Sequence, residues 1–309
     1  MRLIALAAAL LATTAPAVPQ AQQGPFTVEG GRSFASLQEA VASIGEGRGT
    51  IRIAPGRYGE CAVQEAGEIA YVAQVPGKAV FDRAICEGKA TLVLRGRAAR
   101  VDGIVFMRTL VEDGNGAGIR LETGNLHVSN AMFIDGQCGI LTASDPRGTI
   151  VIERSTFAGL GKDPTGNGAH AIYIGNYGSL RVVESRFERG TGGHYVKVRA
   201  PRVEILDSSF DDSMGRNTNY AIDLSNGATG RIAGNAFEQG PAKDNYGTII
   251  AVAPEGAKHS SAGLVIERNK AWLSPGFKDS TTFVGNWSRD SLVVRDNELA
   301  DRIAVIARR

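Results

Sequence analysis

Two phrases decide the fold: Ile150-Val-Ile-Glu-Arg-Ser155-Thr-Phe157 and Leu180-Arg-Val-Val-Glu-Ser185-Arg-Phe187. Each is an alternating apolar strand that ends in Ser, any residue, and a large apolar side chain. The phrase returns as Val203-Glu-Ile-Leu-Asp-Ser208-Ser-Phe210 and Arg231-Ile-Ala-Gly-Asn235-Ala-Phe237. Two later copies are Leu264-Val-Ile-Glu-Arg-Asn269-Lys-Ala271 and Leu292-Val-Val-Arg-Asp-Asn297-Glu-Leu299, and a phase-shifted copy reads His127-Val-Ser-Asn130-Ala-Met132. The Ser/Asn positions lie 30, 23, 27, 34 and 28 residues apart. A second strand is interleaved: Cys138-Gly-Ile-Leu-Thr142, His170-Ala-Ile-Tyr-Ile174, His194-Tyr-Val-Lys-Val198 and Tyr220-Ala-Ile-Asp-Leu224.

A period in this range marks a solenoid, propeller or array. Each repeat carries period-two strands and no helical pattern, and the strict Leu framework of leucine-rich repeats is absent. Propeller blades need about 40–45 residues and four strands. The sequence therefore predicts an all-β, right-handed parallel β-helix, one repeat per coil, with like residues stacked about 4.8 Å apart. The Ser/Asn column reads as a hydrogen-bonded ladder at a turn and the Phe column as core. Ser36-Leu-Gln-Glu-Ala-Val-Ala-Ser-Ile44 reads as a short amphipathic helix capping the first coil, with Ser36 and Glu39 forming a capping box. Cys61 and Cys86 are 25 residues apart, close to one coil, which allows a disulfide between adjacent coils or two unpaired thiols; Cys138 is left over.

Composition agrees with this class. Among 309 residues, 34 Lys+Arg against 32 Asp+Glu leave a net charge of +2, without the basic excess of a nucleic-acid binder. The 39 glycines are nearly twice the usual share of about 7%, as a turn-rich chain requires. Arg2, the apolar run Leu3–Ala12 and small residues at Ala15 and Ala17 read as a secretory signal peptide over 1–21, cleaved after Ala17 or Ala21. The expectation is an exported protein, periplasmic or extracellular, with one domain over 22–309, no membrane span and a monomeric state.

The cap helix, Ile51-Arg-Ile-Ala-Pro55-Gly56-Arg-Tyr58-Gly-Glu60, and coils ending in Ser/Asn-x-Phe resemble the pectin-lyase-like superfamily of right-handed parallel β-helices over nearly the whole mature chain. The resemblance implies work on polysaccharides, by lyases, hydrolases, esterases or epimerases, or non-catalytic adhesion. It supplies no catalytic residues. The pectate-lyase Trp-Ile-Asp-His signature and the epimerases' Asp-Pro-Asp are missing, and Asp211-Asp212 follows Gly193-His194 in the wrong order for a polygalacturonase.

Site candidates come from strand parity. Placing Ile172/Ile174, Val196/Val198 and Ile222/Leu224 inward turns Tyr173, Lys197 and Asp223 outward as one column over three coils. The same parity puts Tyr195 and Arg199 on the face of Lys197. His170, His194 and Tyr220 form a second column at the strand entrances. There the loops 158–169, 188–193, 211–219 and 238–245 arrive and are expected to wall a groove.

This cluster suits β-elimination beside a uronate, which needs a cation on the carboxylate, a base for the C5 proton and an acid for the leaving oxygen. Arg199 is expected as carboxylate clamp, His194 as base with Lys197 as the alternative, and Tyr173 or Tyr195 as acid. His170, Asp223, Asp211 and Asp212 are expected to bind substrate. The expected partner is an acidic polysaccharide, and the expected enzyme a polysaccharide lyase. A glycoside hydrolase pairing Asp223 with Asp211 or Asp212, and a non-catalytic carbohydrate-binding protein, are the alternatives. No metal-ligand spacing appears, so no cofactor is expected, although calcium shared with substrate carboxylates is conceivable.

Overall fold

A computed structural model describes residues 24–161, 163, 165–166 and 168–309; the signal-peptide segment lies outside the described residues. The chain winds as a right-handed parallel β-helix of about nine turns. Among the described residues its three sheets hold 12, 10 and 10 strands. One coil shows the plan. Arg202–Leu206 lies in the first sheet, Ser209–Asp211 in the second and Ile222–Leu224 in the third; Thr229–Ala233 then re-enters the first.

The turn from first to second sheet is the same on every later coil because one residue takes the left-handed conformation. Arg154, Glu184, Asp207, Arg268 and Asp296 have φ between 45° and 54°, and Gly234 fills the place at 71°. That conformation costs a non-glycine residue about 1–2 kcal/mol. The next residue, the repeated Ser or Asn, offsets it with hydrogen bonds between coils. Backbone N–H groups of Ser155, Ser185 and Ser208 donate to the side chains of Ser185, Ser208 and Asn235 at 3.2, 3.0 and 2.9 Å. Asn235 and Asn269 continue the ladder to Asn297, each step at 3.0 Å.

Beneath the ladder, Phe106, Phe133, Phe157, Phe187, Phe210 and Phe237 stack with centroids 4.7–5.0 Å apart. Their in-register pairing in the second sheet forces this column and fills the core.

The helix Leu37–Ile44 closes the first coil with Leu37, Ala40 and Val41 buried. Ser36 accepts from the Glu39 N–H, which is one half of the expected box. The N–H of Leu37 instead donates to Glu60, brought from the next coil. Cys61 and Cys86 form a disulfide. Cys138 is a buried free thiol whose pKa burial pushes up to about 11. No helix among the described residues is long and apolar enough to cross a membrane.

Candidate functional site

The strands Ile172–Ile174, Val196–Val198 and Ile222–Leu224 pair in parallel, with Tyr173 opposite Lys197 and Lys197 opposite Asp223. Their Ile, Val and Leu residues are buried in the core, so the middle residue of each strand faces outward. Outward does not mean exposed here. Lys197 retains 8% of its surface and Asp223 1%. The Lys197 ammonium donates to Asp223 Oδ2 at 2.9 Å and to Glu255 Oε1 at 2.5 Å. Burial works against the ammonium, but the two carboxylates outweigh it and hold its pKa above the ordinary lysine value. Burial raises the pKa of the Asp223 carboxyl, whose Oδ2 also accepts from Ser225 while Oδ1 has no partner.

Arg199 lies just past the strand. Its Nη2 reaches Glu255 Oε2 at 2.7 Å and its guanidinium carbon stands 5.3 Å from the Tyr173 ring centroid. Its Nη1 is buried without a partner. One carboxylate, Glu255, thus spans both cations.

At the strand entrances His170, His194 and Tyr220 stack, with centroids 5.0 and 5.3 Å apart. The backbone N–H of His194 donates to His170 Nδ1 at 3.0 Å, and that of Tyr220 to His194 Nδ1 at 3.1 Å. Each ring therefore carries its proton on Nε2. In His194 that nitrogen faces Asp223 Oδ2 at 3.3 Å. Burial lowers the pKa of both imidazoles, to about 3 for His170 and well below the usual histidine value for His194. His194 is thus a fixed, neutral donor, and the expected base has no free lone pair.

Three further expectations need correcting. Tyr195 keeps 2% exposure and packs edge-on against Phe187 and Phe210, with its hydroxyl donating to Asp212 at 2.7 Å. It precedes the strand Val196–Val198 in a bend, where the alternation used to place it no longer holds. Asp212 is buried, held by Tyr195, Thr218 and Lys243, the last at 3.0 Å, and is not open to substrate. Burial pushes the Lys243 pKa down against the pull of Asp212. Asp211 belongs to the second sheet, where it pairs with Arg186 at 3.1 Å and caps Ser213. Asp223 therefore has neither Asp211, on another sheet, nor the buried Asp212 open beside it as the hydrolase alternative expects.

The long loops do stack on one another, through the bridges Gly193–Thr218–Lys243. The recess, however, opens at the other end of the strands. A cavity of about 420 Å³ is lined by Thr142, Ala143, Ser144, Tyr173, Gly175, Asn176, Arg199, Asn226, Lys258 and His259. Its far wall is the turn 253–264, whose residues Glu255 and His259 hydrogen-bond by their backbone N–H groups to Ser225 and Asn226 on the preceding coil. Gly227 allows that approach: its φ is +81°, and a Cβ there would stand 2.4 Å from the His259 carbonyl oxygen. Glu255, Lys258 and His259 were missed by strand parity because they belong to no strand. A signal did exist. The Asn235–Asn269 spacing of 34 residues is the longest of the series, and the turn 253–264 holds much of the excess.

A slightly larger cavity, about 450 Å³, lies on the outer face of the first sheet among Gly49, Ala70, Ala98, Arg100, His127 and Glu153. Its His127 is paired to Glu153 at 3.3 Å, and no buried side-chain polar atom of its lining lacks a partner. The chemistry favours the third sheet. Among the described residues, no three His, Cys, Asp or Glu side chains are grouped to hold a metal ion.

Fold and site together define a class: a parallel β-helix with a cation-bearing recess at the strand exits of one sheet. Neither a protein-family model nor a curated protein sequence matches the chain. Among solved structures it is similar to the PL6 family alginate lyase AlyGC, with a TM-score of 0.47 and 15% identity. The match covers 83% of this chain and 40% of that one, so the chain spans less than half the length of that lyase.

Proposed function

We propose that the recess binds an acidic sugar unit of a uronate-containing polysaccharide and that the protein cleaves the chain there by β-elimination. The observation that carries this reading is the state of Arg199: it already grips one carboxylate with Nη2 and keeps a buried Nη1 without a partner beside an open cavity. An unpartnered buried donor costs about 1–3 kcal/mol, more when charged, and a second carboxylate would recover it. Arg199 is the clamp that withdraws charge from the uronate carboxylate as the C5 proton leaves. Tyr173 is our choice of acid for the departing oxygen, supported by its lining the same cavity against the guanidinium. Lys197 holds Glu255 and Asp223 and so positions Arg199; as a doubly paired ammonium it is not the base.

The test is the ultraviolet absorbance of the unsaturated uronate product on polymannuronate, polyguluronate, polygalacturonate and hyaluronan. Wild type is expected to produce it on at least one. Arg199→Lys is expected to lose about tenfold or more in kcat/KM, because an ammonium lacks the planar fork. Reducing ends released without the chromophore would replace elimination by hydrolysis.

A further inference from the structure

The elimination still needs a base, and of the four histidines one keeps a ring nitrogen without a hydrogen-bond partner in the recess. His127 is on another sheet and paired to Glu153. His170 and His194 have their Nδ1 lone pairs filled by backbone N–H groups. In His259, Nε2 lies 3.2 Å from the backbone carbonyl oxygen of Arg199. A carbonyl only accepts, so Nε2 carries the hydrogen, and in the neutral ring the lone pair is on Nδ1. No described residue bonds that nitrogen, and the ring lines the same cavity as Arg199 and Tyr173. The contact also ties the ring to the clamp's own backbone, so a base and a carboxylate-binding cation are held in one unit.

We propose that His259 is the catalytic base of the elimination, an inference that rests on the reading of the recess given above. Nδ1 takes the C5 proton of the bound uronate while Arg199 holds its carboxylate. The electron pair of that C–H bond becomes the C4–C5 double bond, and the bond from C4 to the bridging oxygen breaks with its own pair. The Tyr173 hydroxyl gives that oxygen a proton, yielding a new hydroxyl terminus and an unsaturated uronate. Solvent then removes the proton from His259 and returns one to Tyr173, so no oxidant, reductant or metal enters the balance.

Two variants of the full chain test it on whichever of the four polymers wild type cleaves. His259→Gln keeps an N–H for the Arg199 carbonyl but no basic nitrogen, and His259→Ala leaves a space that added imidazole enters. Both are expected to lose about 10²–10⁴-fold in kcat, the usual worth of a positioned base. KM is expected to stay within about threefold, as for a group that acts only in the transition state. Imidazole is expected to restore part of the alanine variant's rate. A kcat close to wild type in either variant, or a loss confined to KM, overturns the role of His259 and leaves the elimination reading standing. If wild type forms no unsaturated product from any of the four polymers, the elimination reading falls and the base assignment with it.

Discussion

Lys197 shows how strand parity places a side chain without revealing its state. Its outward position follows from the alternation of Val196 and Val198, yet its ammonium is buried between Asp223 and Glu255. Removing one partner of a buried ion pair leaves an uncompensated charge, at a cost of about 3–5 kcal/mol. Lys197→Met should therefore lower the urea unfolding free energy by that order. Lys197→Met combined with Asp223→Leu should recover most of it, since the orphaned Asp223 charge is then gone too. A single variant as stable as wild type would mean that the pair is not closed in solution. Activity lost by Lys197→Ala would likewise confuse folding with chemistry, which is why Arg199 and His259 are the more informative positions.

The turn ladder is the element in which sequence and structure agree most closely. A hydrogen-bonding side chain after a left-handed residue is a local requirement, so each coil from Ser155 to Asn297 states it again in its own residues. Asn269 is the densest rung: its Oδ1 accepts the N–H and Nδ2 of Asn235, and its Nδ2 donates to Ile232 and Asn297. Asn269→Ala is expected to cost about 2–4 kcal/mol, from several hydrogen bonds and a buried N–H left unpaired. Asn269→Ser is expected to cost clearly less, because Ser155, Ser185 and Ser208 fill the same place on earlier coils. Equal urea midpoints for the two variants would show that the side chain's size, and not the ladder, matters there.

Across the whole molecule, acid should weaken the fold well before ordinary carboxylates titrate. His170 is held neutral by burial, its pKa lowered from 6.5 to about 3, and His194 is lowered in the same direction. Below 6.5 the unfolded chain takes up protons that the folded chain refuses, so the stability present above that pH is lost as pH falls toward about 3. Protonating either ring would also place a hydrogen on the Nδ1 that now receives a backbone N–H. Glu255 and Asp82, whose pKa values are lowered, add to the loss at more acid pH, whereas the raised Asp223 carboxyl works the other way. The urea midpoint is expected to decline from pH 6.5 downward, and His170→Asn should flatten the upper part of that decline. A midpoint constant between pH 6.5 and 5 would contradict the account.

The sequence by itself determined the coil, its ladder, its Phe core and the outward column Tyr173–Lys197–Asp223, because each follows from a rule obeyed within one strand or one turn and repeated on the next coil. Only the tertiary structure decided the rest of the site. Tyr195 left the column because a bend broke the alternation, and Asp212 was taken by Lys243 from another loop. Glu255 reached Lys197 and Arg199, and His259 reached Arg199, from 56–60 residues away along the chain, across two coils of the stack. Stacking brings such residues within hydrogen-bond range, and no period in the sequence records which turn will fold back over which strand.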